Sequence, residues 1–231
     1  MRSTLAEHYD LAPSLDLAED MAALYAPMKP SLTLPDWAMY APYVAAINRL
    51  KKERNAVILA HNYMTPEIFH GISDVVGDSL ALAVKAKEVE ADVIVQCGVH
   101  FMAEPSKILA PEKAVLIPDT RAGCSLAASI TGADVRLIKE KFPNYPVVTY
   151  VNCTAEVKAE CHITCTSSNA AQVVEAIAAE WNTDTVILVP DQYLAKNVAA
   201  QTGIRVMTWP GACEVHEMFS ADDVEQLREA H

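Results

Sequence analysis

An apolar run ends in three polar side chains at His61-Asn62-Tyr63. In an extended strand His61 and Tyr63, two residues apart, share one face. An imidazole and a phenol aimed at one cavity suit proton transfer on a carbonyl or enol substrate; the plainer reading is a hydrogen-bonded cluster at a loop start. Asp78-Ser79 opens an amphipathic stretch. There the Ser79 hydroxyl and the free N–H groups of a helix start suit a carboxylate or phosphate, although an ordinary N-cap explains the same residues. Tyr150-Val151-Asn152 is a second polar ending to an apolar run. Ser167-Ser168-Asn169 sets hydroxyls ahead of another helix, again as an anion site or a cap. Cys124 follows a glycine after the run AVLIPD, and Cys213 follows a Pro-Gly turn with His216 three residues on. A thiol in such a loop suits metal binding or nucleophilic attack, whereas a lone cysteine is more often a small buried hydrophobe.

The elements that must position these residues alternate. Apolar runs rich in Val and Ile lie at 56–63, 91–99, 114–119, 146–152, 161–167, 185–191 and 204–209. They are mostly unalternating, as strands buried on both faces of a parallel sheet are. Helical patterning occupies 41–53, 78–90, 102–109, 133–141, 155–160, 169–180 and 193–202. Such alternation predicts α/β layers with right-handed crossovers, and ligands at the carboxyl ends of the strands. Residues 1–35 read as a connecting extension that packs on or leads into the first domain. A repeat is suggested by two spacings: HNY to YVN and Cys124 to Cys213 are each 89 residues apart (150 − 61 and 213 − 124), and the endings IPD and VPD are 72 apart (191 − 119). A capped helix opens at Ser220-Ala-Asp-Asp223, after which the alternation calls for another strand.

Composition narrows the functional classes. Of 231 residues, 52% are hydrophobic and 21% charged, an ordinary globular balance. The net charge of −12 disfavours nucleic-acid binding. No stretch approaches the roughly 18 apolar residues of a membrane span, and the N-terminus carries acids without an apolar core, unlike a secretory signal, so a cytoplasmic location is expected. The six cysteines are too sparse for a disulfide scaffold and include no C-x-x-C pair. A zinc lyase built on His61, Cys213 and His216 is disfavoured, because no dense ligand cluster exists.

The segments AHNYMTPEIFHGISDVVGDSLALA, DVIVQCGVHFMAEPSKIL, KAVLIPDTRAGCSLA, PVVTYVNCTAEVKAECHITCTSSNA, VILVPDQYLAKNVA and PGACEVHEMFSADDV, from about Val57 onward, resemble quinolinate synthase in order and spacing. The resemblance implies an α/β fold of repeated three-layer α/β/α units with short parallel sheets. It further implies that two of the family's three pseudo-threefold domains are largely present, at 36–125 and 126–214, with 215–231 starting the third. It also implies a transferase of NAD biosynthesis that condenses iminoaspartate with dihydroxyacetone phosphate to quinolinate, and a functional link to L-aspartate oxidase. The family's cofactor is a [4Fe–4S] cluster held by three cysteines, with one iron left open as a Lewis acid. By motif, Cys124 and Cys213 look like two of those ligands, Tyr63 like the proton-transfer residue, and His216 like a site residue beside the second ligand. His61, Ser79, Tyr150, Asn152 and Ser167 look like substrate contacts, and Cys97, Cys153, Cys161 and Cys165 like structural residues. The family pattern continues with a His-Pro-Glu segment, a threonine and a third cysteine that match nothing here. The competing expectation is therefore an inactive, cluster-free fragment that serves at most as a folded or partner-binding module.

Overall fold

The computed structural model describes residues 8–230. The chain divides after Ala122 into two compact units.

In the first unit, α1 (Leu15–Asp20), α2 (Ala22–Tyr25) and a 3-10 turn (Ala26–Met28) precede the long helix α3 (Leu34–Glu53). The segment expected to connect is thus helical, and it is part of the core: Ala18, Tyr25 and Met28 are buried with Trp37, Val44, Ile58 and Ala60. A proline explains how it docks. Pro42, inside α3, has no N–H, so the Ala38 carbonyl four residues earlier loses its helical donor. The Ser14 N–H donates to that carbonyl at 3.1 Å. Ser14 also caps α1, its hydroxyl accepting from Leu17 N–H at 3.1 Å. Trp37 Nε1 donates to the Ala18 carbonyl at 3.2 Å, and its ring stacks on Tyr25 with centroids 5.7 Å apart.

Strands β1 (Ala56–His61), β2 (Val75–Gly77), β3 (Val93–Cys97) and β4 (Ala114–Leu116) form a parallel sheet in the order β2-β1-β3-β4. Ile58 and Ala60 of β1 join the core under α3; Leu59 and Ile94 join Leu82 and Ala86 of α5 (Ser79–Glu88) on the opposite face. Short α4 (Pro66–Phe69) precedes β2, and α6 (His100–Leu109) joins β3 to β4.

The second unit repeats this plan. Strands β5 (Val147–Tyr150), β6 (Ile163–Cys165), β7 (Thr185–Val189) and β8 (Arg205–Thr208) are parallel in the order β6-β5-β7-β8. Val135 of α8 (Gly132–Lys141) and Val157 of α9 (Ala155–Glu160) cover one face. Val174 and Ile177 of α10 (Ala170–Glu180) and Ala195 and Val198 of α11 (Gln192–Gln201) cover the other. Three further helices are α7 (Ser125–Ala128), α12 (Glu214–Glu217) and α13 (Ala221–Ala230). Ser220 starts α13 as expected, exchanging bonds with Asp223: Asp223 N–H donates to its hydroxyl at 3.1 Å, and its own N–H donates to the Asp223 carboxylate at 2.9 Å.

The chain is thus an α/β fold with two parallel four-stranded sheets. The 89-residue offset matches equivalent positions, since β1 and β5 hold the same place in their sheets and Cys124 and Cys213 follow β4 and β8. The 72-residue pairing does not hold: β4 is an edge strand, whereas β7 is internal and corresponds to β3. β2 was absent from the expected strands, and the others are shorter than their apolar runs because the polar endings leave the ladder. Among the described residues no helix is long and apolar enough to cross a membrane.

One contact in the second sheet is expected to respond to pH. The Val147 N–H donates to His162 Nδ1 at 2.9 Å. Partial burial, reinforced by Lys139, holds His162 below its ordinary 6.5, and the Val147 bond opposes this. The unfolded chain therefore takes up a proton that the folded chain resists. Stability present above 6.5 is lost as pH falls toward the lower folded value. The urea midpoint is expected to drop between about pH 7.5 and about pH 5.5, and His162→Gln to flatten part of that drop. An identical drop in the variant would exclude His162 as its source.

Candidate active site

Each sheet order creates a topological switch point between its two central strands, and ligands of open α/β sheets bind outside the carboxyl ends there. In the first unit those ends carry His61 after β1 and Gly98 after β3; in the second, Tyr150 after β5 and Asp191 after β7.

β1 ends at His61, so Asn62 and Tyr63 lie in a turn rather than on an extended strand. The turn still brings the two rings together, with centroids 4.1 Å apart and planes tilted by 36°. Tyr63 N–H donates to His61 Nδ1 at 3.4 Å, and Asn62 N–H donates to the Gly77 carbonyl at 3.1 Å. Burial holds His61 below its ordinary value, opposed by the charge of Asp78. A neutral imidazole that accepts at Nδ1 carries its proton on Nε2, ready to donate to a carbonyl or carboxylate oxygen. Tyr63 is exposed, and its hydroxyl reaches Met102 Sδ at 3.8 Å. Asp78, not Ser79, caps α5, accepting from Ala81 N–H at 2.8 Å. Ser79 is the first residue of that helix and is buried.

In the second unit three strand ends contribute to one group. Asn152 Nδ2 donates to Tyr150 Oη at 3.2 Å. Burial raises the Tyr150 phenol, the Asp191 carboxylate adds to this, and a hydrogen bond with Ser167 partly offsets it. Tyr150 thus stays a neutral hydroxyl beside an amide and a second hydroxyl, the donors that an anionic ligand needs. Buried Asp191 caps α11, accepting from Tyr193 and Leu194 N–H at 2.8 and 3.1 Å. Asn169 is the N-cap residue of α10 but makes no side-chain cap bond; its Oδ1 accepts from Thr166 N–H at 2.7 Å, which fixes the loop that bears Ser167.

Cys124 and Cys213 are N-cap residues of the four-residue helices α7 and α12, and both are partly exposed. Trp209 Nε1 donates to the Ser129 carbonyl at 2.8 Å, and a Cβ on Gly211 would stand 2.7 Å from Ser129 Oγ. The loop bearing Cys213 is therefore packed on the segment that Cys124 begins. His216 lies exposed on α12, which Tyr193 anchors by donating to Glu217 Oε1 at 2.8 Å. Burial raises the Cys97 thiol and pushes Cys161 and Cys165 up to about 12, so these stay protonated. Among the described residues no group of three or more His, Cys, Asp or Glu is gathered that could hold a metal. The two loop thiols do not by themselves complete a three-cysteine cluster site.

The structure brings together His61 and Tyr63 in the first unit and Tyr150, Asn152 and Ser167 in the second. Sequence reasoning gave no role to Asp191, Gly98 or Met102; the polar VPD ending was the one signal that pointed to Asp191.

Comparison with known proteins gives the family. The family model described as Quinolinate synthetase A protein matches residues 45–231. Quinolinate synthase of Caulobacter vibrioides is 59% identical over 93% of this chain, and that of Sinorhizobium fredii is 59% identical over 100%. That of Xylella fastidiosa is 61% identical over 81%. The aligned parts are 59%, 63% and 54% of those proteins' lengths, so the chain spans about three fifths of the relatives it matches. With the family model covering most of the chain and relatives 59% identical over 93–100% of it, the chain belongs to the quinolinate synthase family.

Proposed function

We propose that the chain carries the substrate-binding and proton-transfer groups of a quinolinate synthase, which condenses iminoaspartate with dihydroxyacetone phosphate to quinolinate, phosphate and two waters. The observation that carries this reading is the His61–Tyr63 pair at the end of β1, with ring centroids 4.1 Å apart and burial holding the imidazole below its ordinary pKa. His61 Nε2–H donates to a substrate carbonyl or carboxylate, and Tyr63 moves the proton at the reacting carbon. Ser79 and the first N–H groups of α5 hold an anionic group. Tyr150, Asn152 and Ser167 hold another through neutral donors, so no fixed positive charge is needed. Cys124 and Cys213 serve as two cluster ligands, with His216 beside the second, and a third donor comes from outside the described residues. The reaction belongs to NAD biosynthesis in the cytoplasm, with the imine supplied by an L-aspartate oxidase.

The test is anaerobic reconstitution with iron and sulfide, with and without the C-terminal remainder of the Sinorhizobium fredii relative, followed by assays for quinolinate and iron. Quinolinate and about four irons per chain are expected only when the remainder is present. No iron and no product in either sample would overturn the reading in favour of a cluster-free module. That second reading draws on the absence of a three-donor group among the described residues and on the exposed Val215, Met218, Phe219 and Leu227.

A further inference from the structure

The surface beneath Tyr63 is built by β3 and α6, to which no part of the proposed reaction is assigned. Gly98, immediately after β3, forms its floor. A Cβ added there would stand 2.7 Å from Met102 Sδ, 3.7 Å from Tyr63 Oη and 3.9 Å from His61 Cβ. No glycine among the described residues has a positive φ, so this glycine supplies room rather than backbone freedom. Met102, 3% exposed, stands in that room with Sδ 3.8 Å from the Tyr63 hydroxyl. The His61 ring, 4.1 Å away, confines the phenol ring. The position of the sulfur is itself set by a buried bond between helix and strand. Ser106 Oγ donates to Gln96 Oε1 at 3.0 Å, with both residues fully buried, and lies 3.3 Å from the Met102 carbonyl one turn back. Four residues, Gln96, Gly98, Met102 and Ser106, thus fix where one thioether meets one phenol.

We propose that Gly98 and Met102 are positioning residues for Tyr63, and that the thioether holds the hydroxyl in the place from which it enters proton transfer. This rests on the reading of Tyr63 as the proton-transfer residue. The chemistry suits the task. A carboxylate at this place would hold the phenol tightly and raise its pKa, and a hydrocarbon would give the hydroxyl no direction. A thioether is a weak acceptor that gives direction and releases the phenol readily.

The test uses the full chain with methyl-labelled methionine and ring-labelled tyrosine, with NMR signals assigned through Met102→Leu and Tyr63→Phe. A nuclear Overhauser contact between the Met102 methyl and the Tyr63 ring is expected. Gly98→Ala meets the far end of a flexible side chain, so the sulfur moves while the fold holds. The variant is expected to shift both signals and weaken the contact while the circular dichroism stays unchanged. If that variant fails to fold, Met102→Leu, which conserves volume, is expected to move the Tyr63 ring signals in its place. Absence of the contact in the unsubstituted chain, or Tyr63 signals unmoved in the folded variants, overturns the proposal. In the reconstituted assay the folded variant is expected to lose at least about tenfold in kcat with KM within about twofold. A displaced Tyr63 with unchanged kcat also overturns it. Should the unsubstituted chain with its remainder make no quinolinate, the reaction reading fails alone, and the tyrosine signals still decide the seat.

Discussion

Tyr63→Phe is expected to lower quinolinate formation by the reconstituted protein by about 10²–10⁴-fold, the usual contribution of a positioned proton-transfer group. The substitution removes one oxygen from a side chain that is 54% exposed, so the fold has little to lose. Phenylalanine keeps the ring against His61 and gives up only the hydroxyl that reaches Met102. Thermal stability should therefore stay near that of the unsubstituted chain while kcat falls, and the iron content should be unchanged. Steady-state kinetics with a cluster assay on the same sample checks all three. A loss smaller than about fivefold would move proton transfer to another group and leave Tyr63 as a wall of the site.

Trp37→Ala is expected to cost about 3–5 kcal/mol, the range for deleting a large buried aromatic. Trp37 is fully buried, it stacks on Tyr25, and its Nε1 holds the carbonyl of Ala18. Its removal leaves a cavity between α3 and the helices before it and orphans a buried acceptor. The loss is measured as the change in unfolding free energy in urea. Trp37→Phe, which retains most of the packing but not the donor, should cost about 1–2 kcal/mol. If the alanine variant lost less than about 1 kcal/mol, residues before α3 would be a dispensable cover and not part of the core.

Much of this architecture is legible in the sequence because parallel strands buried on both faces must be apolar throughout. β7, buried at all five positions, is the clearest case. The polar endings at His61, Tyr150 and Asp191 could be read for the same reason: they interrupt such runs where the chain leaves the ladder. β2 escaped because three residues, one of them glycine, make no run. The helices before α3 escaped because Pro, Met and Ser in that stretch suggest a linker, whereas Ser14 is a cap and Pro42 opens an acceptor for it. Within the site, residue types announced the His61–Tyr63 pair, though not the turn that brings the two rings together. Gly98 and Met102 could not be read at all, since a glycine and a methionine four residues apart acquire meaning only when a tyrosine from the turn after a neighbouring strand comes to lie over them.

The division of the strand ladders after Ala122 bears on how the chain is made. Every ladder partner of β1 to β4 lies before that point, and every partner of β5 to β8 lies after it. The first sheet needs no residue that the ribosome adds after its own last strand. Chains folding during synthesis settle domain by domain from the N-terminus. The first unit is thus set to mature on the ribosome while Cys124 and everything beyond it are still emerging, and the order of translation becomes the order of assembly.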